Sequence, residues 1–121
     1  RRPGWLDLVA LRYAVRLNGI TSLAVTKLDV LSALDELRVC MRYRLPDGAE
    51  TGDFPAHQSD FHHAEPVFET LPGWAEPLDG CASLGDLPGA ARAYVELIER
   101  ELGVPVQLVG TGAAREQVLA R

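Results

Sequence analysis

The sequence predicts an α/β fold: part of a mostly parallel sheet flanked by helices, with one β-hairpin excursion. Three observations carry this reading. Within the first 37 residues a helical apolar periodicity gives way to a short β-branched run, Ile20 to Val25, and then to a second helical periodicity. A stretch of period two then ends in Pro46-Asp47-Gly48, a hairpin signal. In the last third an amphipathic helix runs into a second apolar strand, Val104 to Val109, which is followed at once by Gly110-Thr111-Gly112.

Taken in order, Leu6, Val9, Ala10, Tyr13, Ala14 and Leu17 recur at three-four spacing and predict a helix over 4–18, stopped by Gly19. Ile20 to Val25 is apolar on both faces, the pattern of a strand covered by helices. Val30, Leu31, Leu34 and Leu37 predict a helix over 29–37. From Arg38 to Leu45 apolar residues alternate with polar ones, so this strand has one wet face; the returning arm, Ala49 to Phe54, is weak. Prolines and glycines dominate residues 55–86, predicting loop with a short strand at Val67 to Leu71. Asp86 and Pro88 then open a helix whose buried stripe is Leu87, Ala90, Ala91, Tyr94, Ile98 and Leu102, closed by Gly103 and supported by a Glu96–Arg100 pair.

At 121 residues the length fits one domain, able to bury about two thirds of its unfolded surface. Twelve basic against 17 acidic residues give a net charge of −5, a field that repels polyanions and argues against nucleic acid as a partner. No apolar run approaches the roughly 20 residues that span a bilayer, so no membrane association and a cytoplasmic setting are expected. Cys40 and Cys81 lack the close spacing of zinc or redox pairs and are expected as reduced thiols. His57, His62 and His63 lie in PAHQSDFHHAEP, which reads as a solvated loop rather than a ligand set. The chain opens Arg1-Arg2-Pro3 without methionine and enters a helix with no preceding strand, and so is expected to be a piece of something longer.

The stretch Thr26-Lys27-Leu28-Asp29 breaks an apolar run just where a buried strand ends, and Gly110-Thr111-Gly112 does the same after the second strand. In open α/β sheets ligands collect at the carboxyl ends of strands. There a carboxylate, a pure acceptor with two oxygens side by side, matches the adjacent N1–H and N2–H₂ donors of guanine; adenine offers it a lone pair instead. Asp29 would thus select GTP over ATP. Lys27, two residues earlier in an extended chain, would lay its methylene stem along the purine face. The glycines would let backbone N–H groups approach the base oxygen. The alternative is that both charges belong to a helix start, with Asp29 capping the helix that follows.

Longer strings favour the first reading. RRPGWLDLVALRYAVRLNG, LAVTKLDVL, VFETLPGW and LPGAARAYVELIERELGVPVQLVGTG, in this order and at these separations, resemble the carboxyl-terminal part of the adenylosuccinate synthetase family, from Arg1 to about Gln117. The resemblance implies the fold of the GTP-ligase, P-loop-like superfamily with its amino-terminal portion absent. It also implies a GTP-dependent ligase of purine nucleotide synthesis that joins IMP to L-aspartate, giving adenylosuccinate, GDP and phosphate, with Mg²⁺ bound elsewhere in the enzyme and a homodimeric full-length form.

By this resemblance Lys27, Leu28 and Asp29 bind the guanine of GTP, and Gly110, Thr111 and Gly112 form the opposite wall. Arg1 matches the last arginine of a T-T-G-R-x-R loop that grips the aspartate carboxylates and reaches the nucleotide phosphates. Gly110 stands where the family usually has serine, and Ala113-Ala114 replaces Pro-Asp, leaving backbone contacts to do the work of that loop. Nothing in the sequence matches the family's phosphate-binding glycine loop or its catalytic aspartate and histidine. No catalytic residue is therefore assigned, and the piece alone is expected to be inactive. A non-catalytic guanine-nucleotide-binding module is the alternative.

Overall fold

The computed structural model describes residues 3–121; Arg1, with the role the resemblance gives it, lies outside the described residues. The chain is α/β and divides into two compact units, one of residues 1–19 and 38–70, the other of residues 20–37 and 71–121.

The first unit opens with β1 (Leu6–Asp7) and α1 (Leu8–Asn18). Leu6 belongs to the strand rather than to the expected helix because Asp7 caps α1: its carboxylate accepts the N–H groups of Val9 and Ala10 at 3.0 and 3.1 Å. Gly19, at φ 62°, closes the helix in the left-handed region, as the sequence predicts. β1 runs parallel to β3 (Glu36–Arg44), which turns through Gly48, at φ 89°, into the two-residue antiparallel arm β4 (Glu50–Thr51). Val9, Cys40 and Tyr43 form the core, with Phe54 and Ala64 packed against it. The Tyr43 hydroxyl donates to the free carboxylate oxygen of Asp7, so one acidic side chain caps the helix and satisfies a buried phenol.

Residues 55–72 are more ordered than their prolines suggest. Gln58–His63 is a short helix, α2, and β5 (Glu65–Pro72) is longer than the strand expected at Val67 to Leu71. β5 pairs with β3, and its prolines, Pro66 and Pro72, lie near its two ends. His57, His62 and His63 are exposed, and His62 and His63 lie on α2 rather than in a loop.

The second unit holds a three-stranded sheet in the order β2 (Leu23–Val25), β6 (Val106–Gly110), β7 (Val118–Ala120). β2 and β6 are parallel and β7 returns antiparallel to β6. Only half of the expected strand over 20–25 forms, because the pairing with β6 begins at Leu23. Ala24 is exposed, so that strand is not covered on both faces.

The helix expected over 29–37 is replaced by a 3₁₀ turn, Leu28–Ala33. Leu34 is extended, and Leu37 already belongs to β3. The reason lies at distance: the Asp35 carbonyl accepts the Gly73 N–H at 2.8 Å, which withdraws it from any helix. Val30 and Leu34 are consequently exposed while Leu28 and Leu37 are buried.

Farther on, Asp86 does not cap α3 (Gly89–Leu102). It forms a capping box with Ser83 around its own 3₁₀ turn, Leu84–Asp86, accepting the Ala82 and Ser83 N–H groups. The N-cap position of α3 is Pro88, whose carbonyl takes the Arg92 N–H. Leu87, Ala91, Tyr94, Ile98 and Leu102 are buried as the periodicity predicts, joined by Val95 and Leu97, and Gly103 ends the helix at φ 70°. Arg100 reaches Glu101, and among the described residues it forms no ion pair with Glu96. Both α3 and the Leu28–Ala33 turn lie against β6.

Candidate functional site

Val25 is in register with Val109, so the parallel strands β2 and β6 end level with each other and their loops emerge side by side. Gly110 lies against Thr26. A Cβ added there would sit 3.4 Å from the Thr26 Cα, in ordinary contact. A cleft of about 550 Å³, within the size range of small-molecule sites, opens between these loops and is lined by Thr26, Lys27, Asp29, Val30, Gly110, Gly112, Ala113 and Val118.

The Thr26–Asp29 loop departs from an extended chain at Lys27. Its φ of 61° and ψ of 34° make it the only non-glycine residue in the left-handed region among those described. That conformation costs about 1–2 kcal/mol for an L-residue, and such strain concentrates at functional sites. Its structural effect is to reverse the chain, so that the Lys27 carbonyl accepts the Val30 N–H at 3.2 Å and the 3₁₀ turn begins. The turn drives Leu28 wholly into the core and leaves Lys27 and Asp29 exposed on the cleft. Asp29 makes no ion pair with any described residue. The alternative, that both charges belong to a helix start, holds in part: no helix forms over 29–37, but Lys27 is the N-cap position and Asp29 lies in the first turn of the 3₁₀ helix.

On the opposite loop Thr111 is buried, its N–H donating to the Gln117 carbonyl at 2.8 Å and its hydroxyl directed at the same oxygen at 3.4 Å. Neither the Leu28 nor the Thr111 side chain lines the cleft. Gly110 and Gly112 do, and the N–H groups of Gly112 and Ala113 donate to no described residue. The cleft thus joins an unpaired carboxylate and a cationic stem on one wall to free backbone donors on the other.

Val30 and Val118, 62% and 48% exposed, add apolar flanks that the sequence reading did not assign to the site. Val30 had a place in the stripe of a helix that does not form. Val118 lies on β7, whose signal is a three-residue apolar run too short to separate from loop.

The adenylosuccinate synthetase family model matches residues 1–119. The chain belongs to the adenylosuccinate synthetase family. It is 50% identical over 119 residues to the adenylosuccinate synthetase of Acidothermus cellulolyticus, covering 98% of this chain and 28% of that protein. To that of Sorangium cellulosum it is 52% identical over 121 residues, again 28% of the relative's length. A solved structure of fully ligated adenylosuccinate synthetase from Plasmodium falciparum superposes with a TM-score of 0.91 at 33% identity, covering 98% of this chain and 28% of that one. The chain therefore spans 28% of the length of these family members, and the fold expected from the quoted strings is the fold they share.

No helix among the described residues is long and apolar enough to cross a membrane. Both cysteines are free, Cys40 buried and Cys81 partly so.

Proposed function

We propose that the chain is the guanine-recognising part of a GTP-dependent ligase that joins IMP to L-aspartate, forming adenylosuccinate with release of GDP and phosphate. The observation that supports this most directly is the cleft in which the unpaired Asp29 faces the Gly110–Ala113 loop. Asp29 accepts the N1–H and N2–H₂ of guanine as a bidentate pair, and the Gly112 and Ala113 N–H groups donate to the oxygen at C6. The Lys27 stem and the flanks of Val30 and Val118 cover the faces of the ring. Leu28 and Thr111 act from beneath, anchoring the two loops in the core.

Adenine in the same place leaves the carboxylate desolvated against a lone pair. Charge-assisted bonds contribute roughly 1.5–3 kcal/mol each, so their loss yields discrimination of several orders of magnitude. Arg1 helps to grip the aspartate carboxylates and the nucleotide phosphates, and phosphoryl transfer is the work of other residues of a cytoplasmic, homodimeric enzyme. Among the described residues no three His, Cys, Asp or Glu side chains are grouped to hold a metal, and the Mg²⁺ implied by the family would be held by other residues of the enzyme.

Calorimetric titration of the chain with GTP, GDP and ATP tests the reading. GTP and GDP are expected to bind and ATP not to, with Asp29→Asn abolishing the preference. Equal binding of ATP, or an Asp29→Asn variant with unchanged preference, would remove it.

A further inference from the structure

The loop carrying the free Gly112 and Ala113 N–H groups contains no proline. What holds it is Gln117. The main chain of Gln117 accepts the Thr111 N–H at 2.8 Å and donates to the Ala114 carbonyl at 3.0 Å, closing the loop at both ends. Its side chain turns back over the loop, where Oε1 accepts the Ala114 N–H at 2.9 Å. The same carboxamide occupies the space above Gly112, where an added Cβ would collide with Cδ, Oε1 and Nε2 of Gln117. Gly112 has no positive φ, so a side chain there would meet no backbone strain but would displace the Gln117 carboxamide. Gln117 also leads directly into β7, whose Val118 pairs with Gly110.

These contacts divide cleanly. The main-chain bonds survive any side-chain replacement, whereas the bond to Ala114 and the packing on Gly112 depend on glutamine. Gly112 and Ala113, which line the cleft and whose N–H groups have no partner among the described residues, lie where the carboxamide covers the loop and next to the point it holds.

We propose that Gln117 is a positioning residue whose carboxamide aims the Gly112 and Ala113 N–H groups into the cleft, and so sets the recognition of the carbonyl oxygen at C6 of the base. The inference rests on the guanine reading above. It assigns the two edges of the base to different side chains: Asp29 reads N1 and N2 directly, and Gln117 governs the reading of O6 through the loop.

Three probes separate these edges. GDP carries all the recognised groups; IDP lacks the N2 amino group but keeps O6; 6-thio-GDP keeps the N1 and N2 donors but replaces O6 with sulfur, a weaker acceptor. Titration of the full chain with each is expected to show that Gln117→Ala weakens GDP about fivefold to tenfold, the loss of one aligned hydrogen bond. The GDP to 6-thio-GDP ratio should fall toward one while the GDP to IDP ratio stays unchanged. Gln117→Glu keeps an Oε1 acceptor and restores the wild-type ratios.

Gly112→Ala pushes the carboxamide aside and reproduces the Gln117→Ala pattern. Should Gln117→Ala not fold, Gln117→Met fills the space over Gly112 without a comparable acceptor and is expected to show the same loss of ratio. A Gln117→Ala variant, or Gln117→Met in its place, that binds all three probes with one common loss, or with none, overturns the positioning role. Asp29→Asn controls the underlying reading separately, because an unchanged GDP to IDP ratio in that variant removes the guanine assignment whatever Gln117 does.

Discussion

The indole N–H of Trp74 donates to the Ser32 hydroxyl at 2.9 Å, across 42 positions of sequence. Ser32 lies in the 3₁₀ turn that follows Lys27 and Asp29, and Trp74 ends the Glu69-Thr70-Leu71-Pro72-Gly73-Trp74 string. Beside it, the Gly73 N–H donates to the Asp35 carbonyl. One of the strings that mark this family therefore reaches the residues just after another, and braces the turn that carries Asp29.

Removing the hydroxyl tests that brace. Trp74 is 2% exposed, so Ser32→Ala leaves a buried indole N–H without an acceptor, at a cost of about 1–3 kcal/mol. Urea unfolding followed by tryptophan fluorescence should show a lower midpoint at unchanged slope.

Gly73 is the tighter constraint. A Cβ there would collide with the carbonyl oxygens of Leu34 and Asp35, which are backbone atoms that a side-chain rotation cannot relieve. Gly73→Ala is expected to destabilise by about 1–3 kcal/mol or more, the range of overpacked sites. A variant with wild-type stability would show that residues 34 and 35 yield easily.

Lys27 should display opposed effects on stability and binding. Lys27→Gly relieves the left-handed strain and offsets part of the gain through a freer unfolded chain, for a net change of about +0.5 kcal/mol. The same variant loses the stem that covers the base, so GDP affinity is expected to fall as the melting temperature rises. A parallel fall in both would show that the lysine side chain supports the fold instead.

Gly110→Ser asks whether the usual serine of the family is tolerated in this chain. The added Cβ meets Thr26 at ordinary contact distance and Gly110 has no positive φ, so stability should stay within about 0.5 kcal/mol. The new hydroxyl enters the cleft wall, and GDP affinity is expected to rise by up to about tenfold, one hydrogen bond's worth. Calorimetry on the variant decides this.

The alkaline limb of stability should report on the first unit. Burial pushes the Tyr43 phenol well above its usual range, with the Asp7 carboxylate adding to the shift, and burial likewise raises the Cys40 thiol. Both groups are held neutral in the fold but ionise more easily when unfolded. Their contribution is complete below the unfolded values, 9.0 for the thiol and 10.0 for the phenol, and is lost progressively as pH rises from these toward the raised values of the folded state. Denaturation midpoints measured from pH 8 to 11 should decline, and Tyr43→Phe should flatten the upper part of that decline.

Local chemistry made much of this chain readable in advance. Gly19 and Gly103 stop their helices because the left-handed cap asks for a residue without Cβ, a requirement written at one position. The stripe of α3 follows from spacing along a single helix. The placement of Lys27 and Asp29 just past the carboxyl end of a strand followed from where two apolar runs end, and β2 and β6 do finish side by side.

What could not be read depended on partners far along the chain. Residues 29–37 have a helical pattern, yet Gly73 claims the Asp35 carbonyl and β3 takes the residues that follow. Asp86 has the chemistry of a cap and serves the turn before the expected helix. β7 exists because β6 offers it an edge, and Gln117 acquires its role only when that pairing folds its side chain back onto Gly112. Periodicity and caps are set by neighbours within one turn or one strand. The conformation of short polar segments is set instead by whichever distant backbone group completes their hydrogen bonds, and that choice is made only when the elements pack.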